Sequence, residues 1–164
     1  MLLTILEKIP SIKFFESDET FDCTPEPFVQ LYTVHGDLGS DEDHTRIVPL
    51  IYVLLNKKTE ETYKKIFEIL KQNIPGWEPV KFLTDFELAA MNAITIVFPS
   101  VVIKGCYFHY SKNVRKKAKH LDLTKDAITQ RHVRLSALLP LLPRKFISEG
   151  WCYIMEDCPD TDAI

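Results

Sequence analysis

The sequence predicts an α/β domain built on a mixed sheet of five strands, and three observations lead to this prediction. Segments rich in β-branched and aromatic residues follow one another through the first 55 residues. From Thr59 onward, segments with an apolar residue every three or four positions alternate with short apolar segments. Pro49 lies inside the third early segment, and because proline cannot donate to a strand ladder, that segment is expected at a sheet edge.

Three strands are predicted before the first helix. They are expected at 12–21, 28–35 and 47–55, with a polar turn containing two glycines at 36–43 between the last two. Consecutive strands joined by short connections typically run antiparallel. We therefore expect an antiparallel meander.

Helices and strands are predicted to alternate in the next part of the chain. Thr59 is a suitable N-cap for a first helix, which ends at Pro75-Gly76. The elements that follow are a strand at 80–84, a helix at 86–97, a strand at 101–107 and a helix that extends to Leu121. Strands joined through helices are typically parallel, so the sheet is mixed. The order 3-2-1-4-5 places the third strand at an edge and the first strand beside the fourth.

The C-terminal part of the chain is predicted to be helical and irregular. Helical segments are expected at 128–139 and 144–155, separated by two prolines, and the acidic segment 156–164 is expected to fray. We accordingly divide the chain into a core, residues 1–121, and a C-terminal segment, residues 122–164.

Composition narrows the classes of function. The chain has 164 residues, a mean hydropathy of −0.06 and a net charge of −3, and it contains no apolar run long enough for a membrane helix. Its four cysteines are too sparse for a secreted disulfide framework, so an intracellular location is expected. Residues 112–120 are basic. Such a run is either a solvated helix face or a surface that binds phosphate.

Two aspartates stand out by their positions. Asp18 lies in or near the end of the first strand, and Asp85 follows the fourth strand. Because these strands are expected to be neighbours, two carboxylates at matched heights could bind one divalent ion, and magnesium prefers such oxygen ligands. The alternatives are that Asp18 is a turn residue and that Asp85 is an ordinary helix N-cap.

Five ordered segments resemble a known family, the transposase domain of Mutator-like elements (the MULE transposase domain). Asp18-Glu-Thr-Phe21 is similar to the family's Asp-Gly-Thr-Phe block, and Phe82-Leu-Thr-Asp-Phe-Glu87 is similar to its second acidic block. Residues 30–36 and 48–55 resemble its second and third strands, and Gly105-Cys-Tyr-Phe-His109 resembles its Cys-x-x-His block. The resemblance extends from about Phe14 to Trp151.

The resemblance implies a DDE-type transposase core with an RNase H-like fold, followed by the start of a helical insertion. It implies that Asp18 and Asp85 are catalytic and bind Mg2+ or Mn2+ for DNA cleavage and strand transfer. The expected partner is transposon-end DNA in the nucleus, and a homo-oligomer is compatible with that role. Neither a small-molecule substrate nor a membrane is expected. The expected DNA-binding residues are Lys112, Arg115, Lys116 and Lys119.

The chain departs from the family pattern at two points. Glu19 replaces the glycine that follows the first acid. The family's third acid lies in an Asn-Asn-x-x-Glu pattern, and none of the asparagines here is followed by glutamate three residues later. Glu149 and Glu156 are conceivable substitutes, although their surroundings do not resemble that block. We therefore expect a truncated product or a fragment that ends before the third acid.

Cys106 and His109 have the spacing of two zinc ligands, but a closed structural zinc site needs four. The other cysteines and histidines form no second pair, so zinc is not expected. A buried cysteine and a hydrogen-bonded histidine are the alternative.

Two classes of function follow from these observations. The first is a catalytic core fragment of a transposase. The second is a domesticated or remnant nuclear protein that binds DNA or a protein partner without cutting.

Overall fold

The computed structural model of the protein describes residues 9–20 and 24–157, with the backbone alone at 18–20. The chain divides into two compact units between Cys106 and Tyr107. The predicted division into a core, residues 1–121, and a C-terminal segment, residues 122–164, stays a prediction.

The first unit contains a five-stranded mixed sheet. Its strand order is β3-β2-β1-β4-β5, as the sequence predicts. β1 pairs antiparallel with β2 and parallel with β4, and β5 extends the parallel part. The strands are β1 (Phe14–Thr20), β2 (Gln30–Asp37), β3 (Ile47–Leu55), β4 (Lys81–Thr84) and β5 (Val102–Gly105).

The edge position predicted for the proline-bearing strand is confirmed. β3 is an outer strand, and Pro49 pairs with His35 where the β2–β3 register shifts between Val34 and His35. An edge strand and a register irregularity are the two places where a sheet tolerates a missing N–H donor.

Two helices belong to the first unit. Helix α1 (Glu60–Asn73) begins as predicted at Thr59, whose hydroxyl accepts a hydrogen bond from the Thr62 N–H. Helix α2 (Leu88–Val97) carries three buried residues, Ala90, Ala93 and Ile94. Both helices contribute buried side chains to the apolar core shared with the sheet.

Aromatic rings dominate that core. Phe67 of α1 is fully buried, and its ring lies 6.0–6.5 Å from four other rings. Those rings belong to Tyr32, Trp77, Phe82 and Phe98. Aromatic pairs at these distances add to the free energy gained from burying their area. The core therefore fixes the strands that carry the candidate site.

The second unit is helical. It contains α3 (Tyr107–His120), α4 (Ala127–Leu138) and α5 (Ile147–Glu156), with 3-10 turns at Leu139–Leu141 and Arg144–Phe146. Asp126 caps α4 by accepting hydrogen bonds from the N–H groups of Ile128 and Thr129. The first 3-10 turn contains Pro140, which agrees with the predicted break.

Several predicted boundaries are wrong by a few residues. β2 begins at Gln30, because a turn at residues 26–27 precedes it. The strand predicted at 101–107 ends at Gly105, because α3 has already begun at Tyr107. The helix predicted from Phe86 begins two residues later. The predicted end of the first strand, Phe21, and most of the predicted frayed segment 156–164 lie outside the described residues.

Over the residues that the structure describes, no helix combines the length and the apolar character needed to cross a membrane.

Candidate functional site

The two candidate acids follow a pair of hydrogen-bonded hydroxyl residues on neighbouring strands. β1 and β4 run parallel in a register that matches Phe15 with Phe82, so Ser17 and Thr84 meet two positions further along. The Ser17 hydroxyl donates to the Thr84 hydroxyl at 3.1 Å. Asp18 and Asp85 each come one residue after this pair. The fold therefore brings the chain at both aspartates to the same end of the two strands.

The Asp85 carboxylate is held by hydrogen bonds to one of its two oxygens, Oδ1. Oδ1 accepts a hydrogen bond from the Thr84 hydroxyl at 3.4 Å and from the Glu87 N–H at 3.2 Å. Since Ser17 donates to Thr84, a relay of two hydroxyls connects β1 to this carboxylate. Asp85 is half-buried, and no hydrogen bond joins its Oδ2 to another described residue. The protein therefore orients this carboxylate through Oδ1.

The N-cap alternative for Asp85 is wrong. α2 begins at Leu88, and its N-cap residue is Glu87, whose side chain makes no capping hydrogen bond. Asp85 lies two residues earlier, in the turn between β4 and the helix. An N-cap role therefore does not account for its position.

The side chain of Glu87 is anchored away from solvent. Its Oε2 accepts a hydrogen bond from the Tyr63 hydroxyl at 3.0 Å and lies 3.2 Å from the Lys58 Nζ. Its side chain is 15% exposed. The Tyr63 hydroxyl also lies 3.3 Å from the Oε1 of the fully buried Gln30. This group of residues fixes the turn that carries Asp85.

Asp18 is placed by its backbone alone. It lies in β1 opposite Thr33 of β2, and the neighbouring Glu19 lies opposite Tyr32. The residues around this strand end offer carboxylate and hydroxyl oxygens, which are the donors that Mg2+ and Mn2+ accept. The donor set therefore fits a hard divalent ion. Within the described side chains, no group of three His, Cys, Asp or Glu residues could hold a metal.

The predicted DNA-binding residues lie together on α3. Lys112, Arg115, Lys116 and Lys119 recur at intervals of three and four along the helix and are all exposed. Ser111 and Ala118 of the same helix are buried. The helix contains no acidic residue, and these four side chains make no ion pair with any residue in the described part of the chain. We call these four residues the basic face.

A comparison with protein families shows which family the chain belongs to. The model of the MULE transposase domain matches residues 14–113. The chain belongs to this family. No curated protein matches the chain.

The matched MULE region contains both candidate acids and the Cys-x-x-His pair. It also contains Lys112, the first residue of the basic face, while the other three follow it. The family is that of a transposase, which acts on DNA and depends on a divalent metal. Among the expected site residues, the backbone at Asp18 and at Asp85 lies at the same end of the neighbouring strands β1 and β4.

Cys106 is the last residue of the first unit, and His109 belongs to the second. Cys106 is half-buried, and its N–H donates to the Thr84 carbonyl at 2.8 Å, which ties the end of β5 to the end of β4. His109 lies in α3, with its ring 5.5 Å from that of Phe108. The absence of zinc from this pair stays a prediction. Glu149 and Glu156 are both exposed on α5.

Sequence reasoning missed the residues that support Asp85. Ser17 and Thr84 could have been found, since each directly precedes a candidate acid in its strand. Tyr63 and Glu87 are 24 positions apart and carry no common pattern. Only the packing of α1 beside the turn shows that they meet.

Proposed function

We propose that this chain provides two of the acidic residues of a transposase catalytic site, Asp18 and Asp85, and that they bind Mg2+ or Mn2+. The observation that carries the proposal is the parallel register of β1 and β4, which places both residues directly after the hydrogen-bonded Ser17 and Thr84. The family assignment supports it, because the match includes both positions.

The residues of the chain have distinct parts in this proposal. Asp18 and Asp85 supply negative charge and oxygen donors at one end of the sheet, and Thr84 and the Glu87 N–H orient the Asp85 carboxylate. A divalent ion bound there supplies the polarisation that in-line attack on a phosphodiester requires. Glu19 adds a further negative charge to the strand beside the site.

We propose that the basic face binds the DNA phosphate backbone. Four exposed cations on one helix, without acidic residues between them, form a surface suited to phosphate, whereas the protein as a whole is acidic. Such contacts position DNA without reading its sequence. The chain would meet this DNA in the nucleus.

DNA binding is tested with labelled duplex DNA at several salt concentrations. Each lysine or arginine that contacts phosphate contributes roughly 0.9 to the slope of log affinity against log salt. The variant Lys112→Ala/Lys116→Ala is therefore expected to bind more weakly and to reduce that slope by about 2. The control is Lys64→Ala/Lys65→Ala, which removes the same charge from α1. Equal losses in both variants would contradict the role of the basic face.

A second function, DNA binding without cleavage, is favoured by one sequence observation. No Asn-Asn-x-x-Glu pattern occurs in the chain, so the family's third acid has no counterpart in that form. The two functions are separated by a nicking assay with Mg2+ or Mn2+ on supercoiled DNA. Nicking that is lost in both Asp18→Asn and Asp85→Asn supports catalysis. Salt-dependent binding without nicking supports the second function.

A further inference from the structure

The turn between β4 and α2 is fixed by the side chain of Glu87, which is not one of the two proposed acids. Asp85 begins this turn, and the N–H of Glu87 donates to the Asp85 Oδ1 at 3.2 Å. The Glu87 carboxylate is itself held by the Tyr63 hydroxyl at 3.0 Å and by the Lys58 Nζ at 3.2 Å. The contacts that hold the Glu87 side chain therefore also hold the Glu87 N–H, which orients Asp85.

We propose that Glu87 is a positioning residue for Asp85 and that Tyr63 is the group that fixes it. This inference rests on the proposed function of Asp85 as a metal ligand. Ligating carboxylates need hydrogen-bonding partners that set their orientation, and loss of such a partner weakens metal binding. Here the partner is a backbone N–H, whose position depends on how the adjoining side chain is anchored.

The hydrogen bonding around Tyr63 indicates which group receives the proton of its hydroxyl. The Tyr63 hydroxyl has a single proton and lies 3.0 Å from the Glu87 Oε2 and 3.3 Å from the Gln30 Oε1. Both oxygens are acceptors, and the carboxylate oxygen is the nearer and the stronger one, so the proton goes to Glu87. The resulting chain runs from the core, through Tyr63, to Glu87.

Burial makes this anchor stiff. Gln30 and Tyr63 are fully buried, so neither side chain can rotate into water without disrupting the core. Lys58 offsets the negative charge of Glu87, which keeps that carboxylate from competing with Asp85 for a cation. Glu87 is thus secured to the protein rather than to the ligand.

A second contact involves Phe86, the residue between Asp85 and Glu87. The Phe86 ring lies against Gly105 at the end of β5, where a Cβ atom would come within 2.5 Å of the ring. Since Gly105 has no side chain, the ring occupies that space. The turn is therefore held by α1 through Glu87 and by β5 through Phe86.

The test uses Tyr63→Phe in the whole chain, because this change removes one hydroxyl and no charge. Glu87→Gln is less informative, since it would weaken cation binding simply by removing a negative charge. The matched control is Tyr110→Phe, which removes a half-buried hydroxyl that donates to the Ser136 carbonyl in the second unit. Circular dichroism and thermal unfolding establish that each variant is folded. Lys58→Gln is the second variant, should Tyr63→Phe prove unstable, and it is assessed by hydrogen exchange alone because it also removes a charge.

Two quantities are measured for each tyrosine variant. The first is the hydrogen–deuterium exchange rate of the Glu87 N–H in metal-free protein, which reports positioning directly. The second is the affinity for Mn2+, measured by electron paramagnetic resonance. Tyr63→Phe is expected to accelerate the exchange and to weaken Mn2+ binding by about 3- to 10-fold, whereas Tyr110→Phe changes neither.

The outcomes separate this inference from the proposed function. Unchanged exchange at Glu87 in Tyr63→Phe and in Lys58→Gln overturns the positioning role, whatever the metal affinity. Faster exchange together with unchanged affinity, in a wild-type chain whose Mn2+ binding requires Asp85, also overturns it. If wild-type protein binds no Mn2+, or if Asp85→Asn binds it equally well, the proposed function fails instead.

Discussion

The Ser17 hydroxyl donates a hydrogen bond to the Thr84 hydroxyl at 3.1 Å, and both side chains are buried. This contact joins β1 to β4 one residue before Asp18 and Asp85. It also continues to Asp85 Oδ1, since the Thr84 hydroxyl lies 3.4 Å from it. The Ser17–Thr84 pair thus links the register of β1 and β4 to the orientation of Asp85, a candidate metal ligand.

Thr84→Val is expected to lower the free energy of unfolding by about 1–3 kcal/mol. Valine preserves the volume of the buried side chain, but it leaves the Ser17 hydroxyl without its acceptor. Urea unfolding measures the change. In a double-mutant cycle with Ser17→Ala, a coupling of about 0.5–1.5 kcal/mol is expected. The control is Thr95→Val, which removes an exposed hydroxyl bonded within its own helix. Additive effects of the two substitutions would contradict the contact.

Phe67→Ala is expected to destabilise the chain by about 3–5 kcal/mol, because it removes a fully buried ring at the centre of the aromatic core. The comparison variant is Phe146→Ala in the second unit, where the ring is 44% exposed and less area is lost from burial. Denaturant unfolding of both variants measures the difference. Similar losses would show that Phe67 is not central to the core.

Gly105→Ala is expected to displace the Phe86 ring, since the new Cβ would lie 2.5 Å from it. Phe86 is half-exposed and can swing outward, so the cost should fall near the low end of the roughly 1–3 kcal/mol typical of overpacking. The variant Phe86→Ala provides the check. If the ring is the obstacle, Gly105→Ala costs much less in a chain that already carries Phe86→Ala. Equal costs in the two backgrounds would point to the backbone instead.

Helix α4 is expected to lose stability in acid through its N-cap. The Thr129 hydroxyl, together with the N–H groups of Thr129 and Ile128, lowers the pKa of Asp126 below its usual value of 3.8. Because the folded-state pKa is the lower one, the stabilisation is present above about pH 4 and disappears as the pH falls through the folded value. Asp126→Asn retains a capping side chain but cannot titrate. Thermal unfolding between about pH 6 and pH 2 should show a smaller acid dependence in this variant.

The acid dependence has a second expected source at the C-terminal end of α5, where Asp157 is the C-cap. Arg131 lowers the pKa of Asp157, through a hydrogen bond and through charge attraction. Asp157→Asn should therefore also reduce the loss of folding stability at low pH, independently of Asp126. If both variants retain the full acid dependence of wild-type protein, the stabilisation comes from other carboxylates.

Much of the fold could be predicted from local patterns. The alternation of apolar and polar residues, the change of period at Thr59 and the position of Pro49 led to the observed strand order. Boundaries were less predictable, because tertiary contacts shift where a strand ends. The start of α3 at Tyr107 illustrates this, since residues 101–107 look equally suited to a continuing strand.

The candidate site was predictable in part. Asp18 and Asp85 could be paired once the strand order was inferred, because each follows a strand and the two strands are neighbours. The supports of Asp85 could not be inferred, since Glu87 meets Tyr63 and Lys58 only after α1 packs beside the turn. Long-range side-chain contacts of this kind leave no periodic signal in the sequence.

A calorimetric titration of the metal-free chain with Mg2+ and Mn2+ tests whether Asp18 and Asp85 together bind a divalent ion. Asp18→Asn and Asp85→Asn are each expected to weaken binding by about tenfold or more, since each removes a charged ligand. The exposed carboxylate variant Glu68→Gln is expected to bind as wild-type protein does. Wild-type affinity in both aspartate variants would contradict the account.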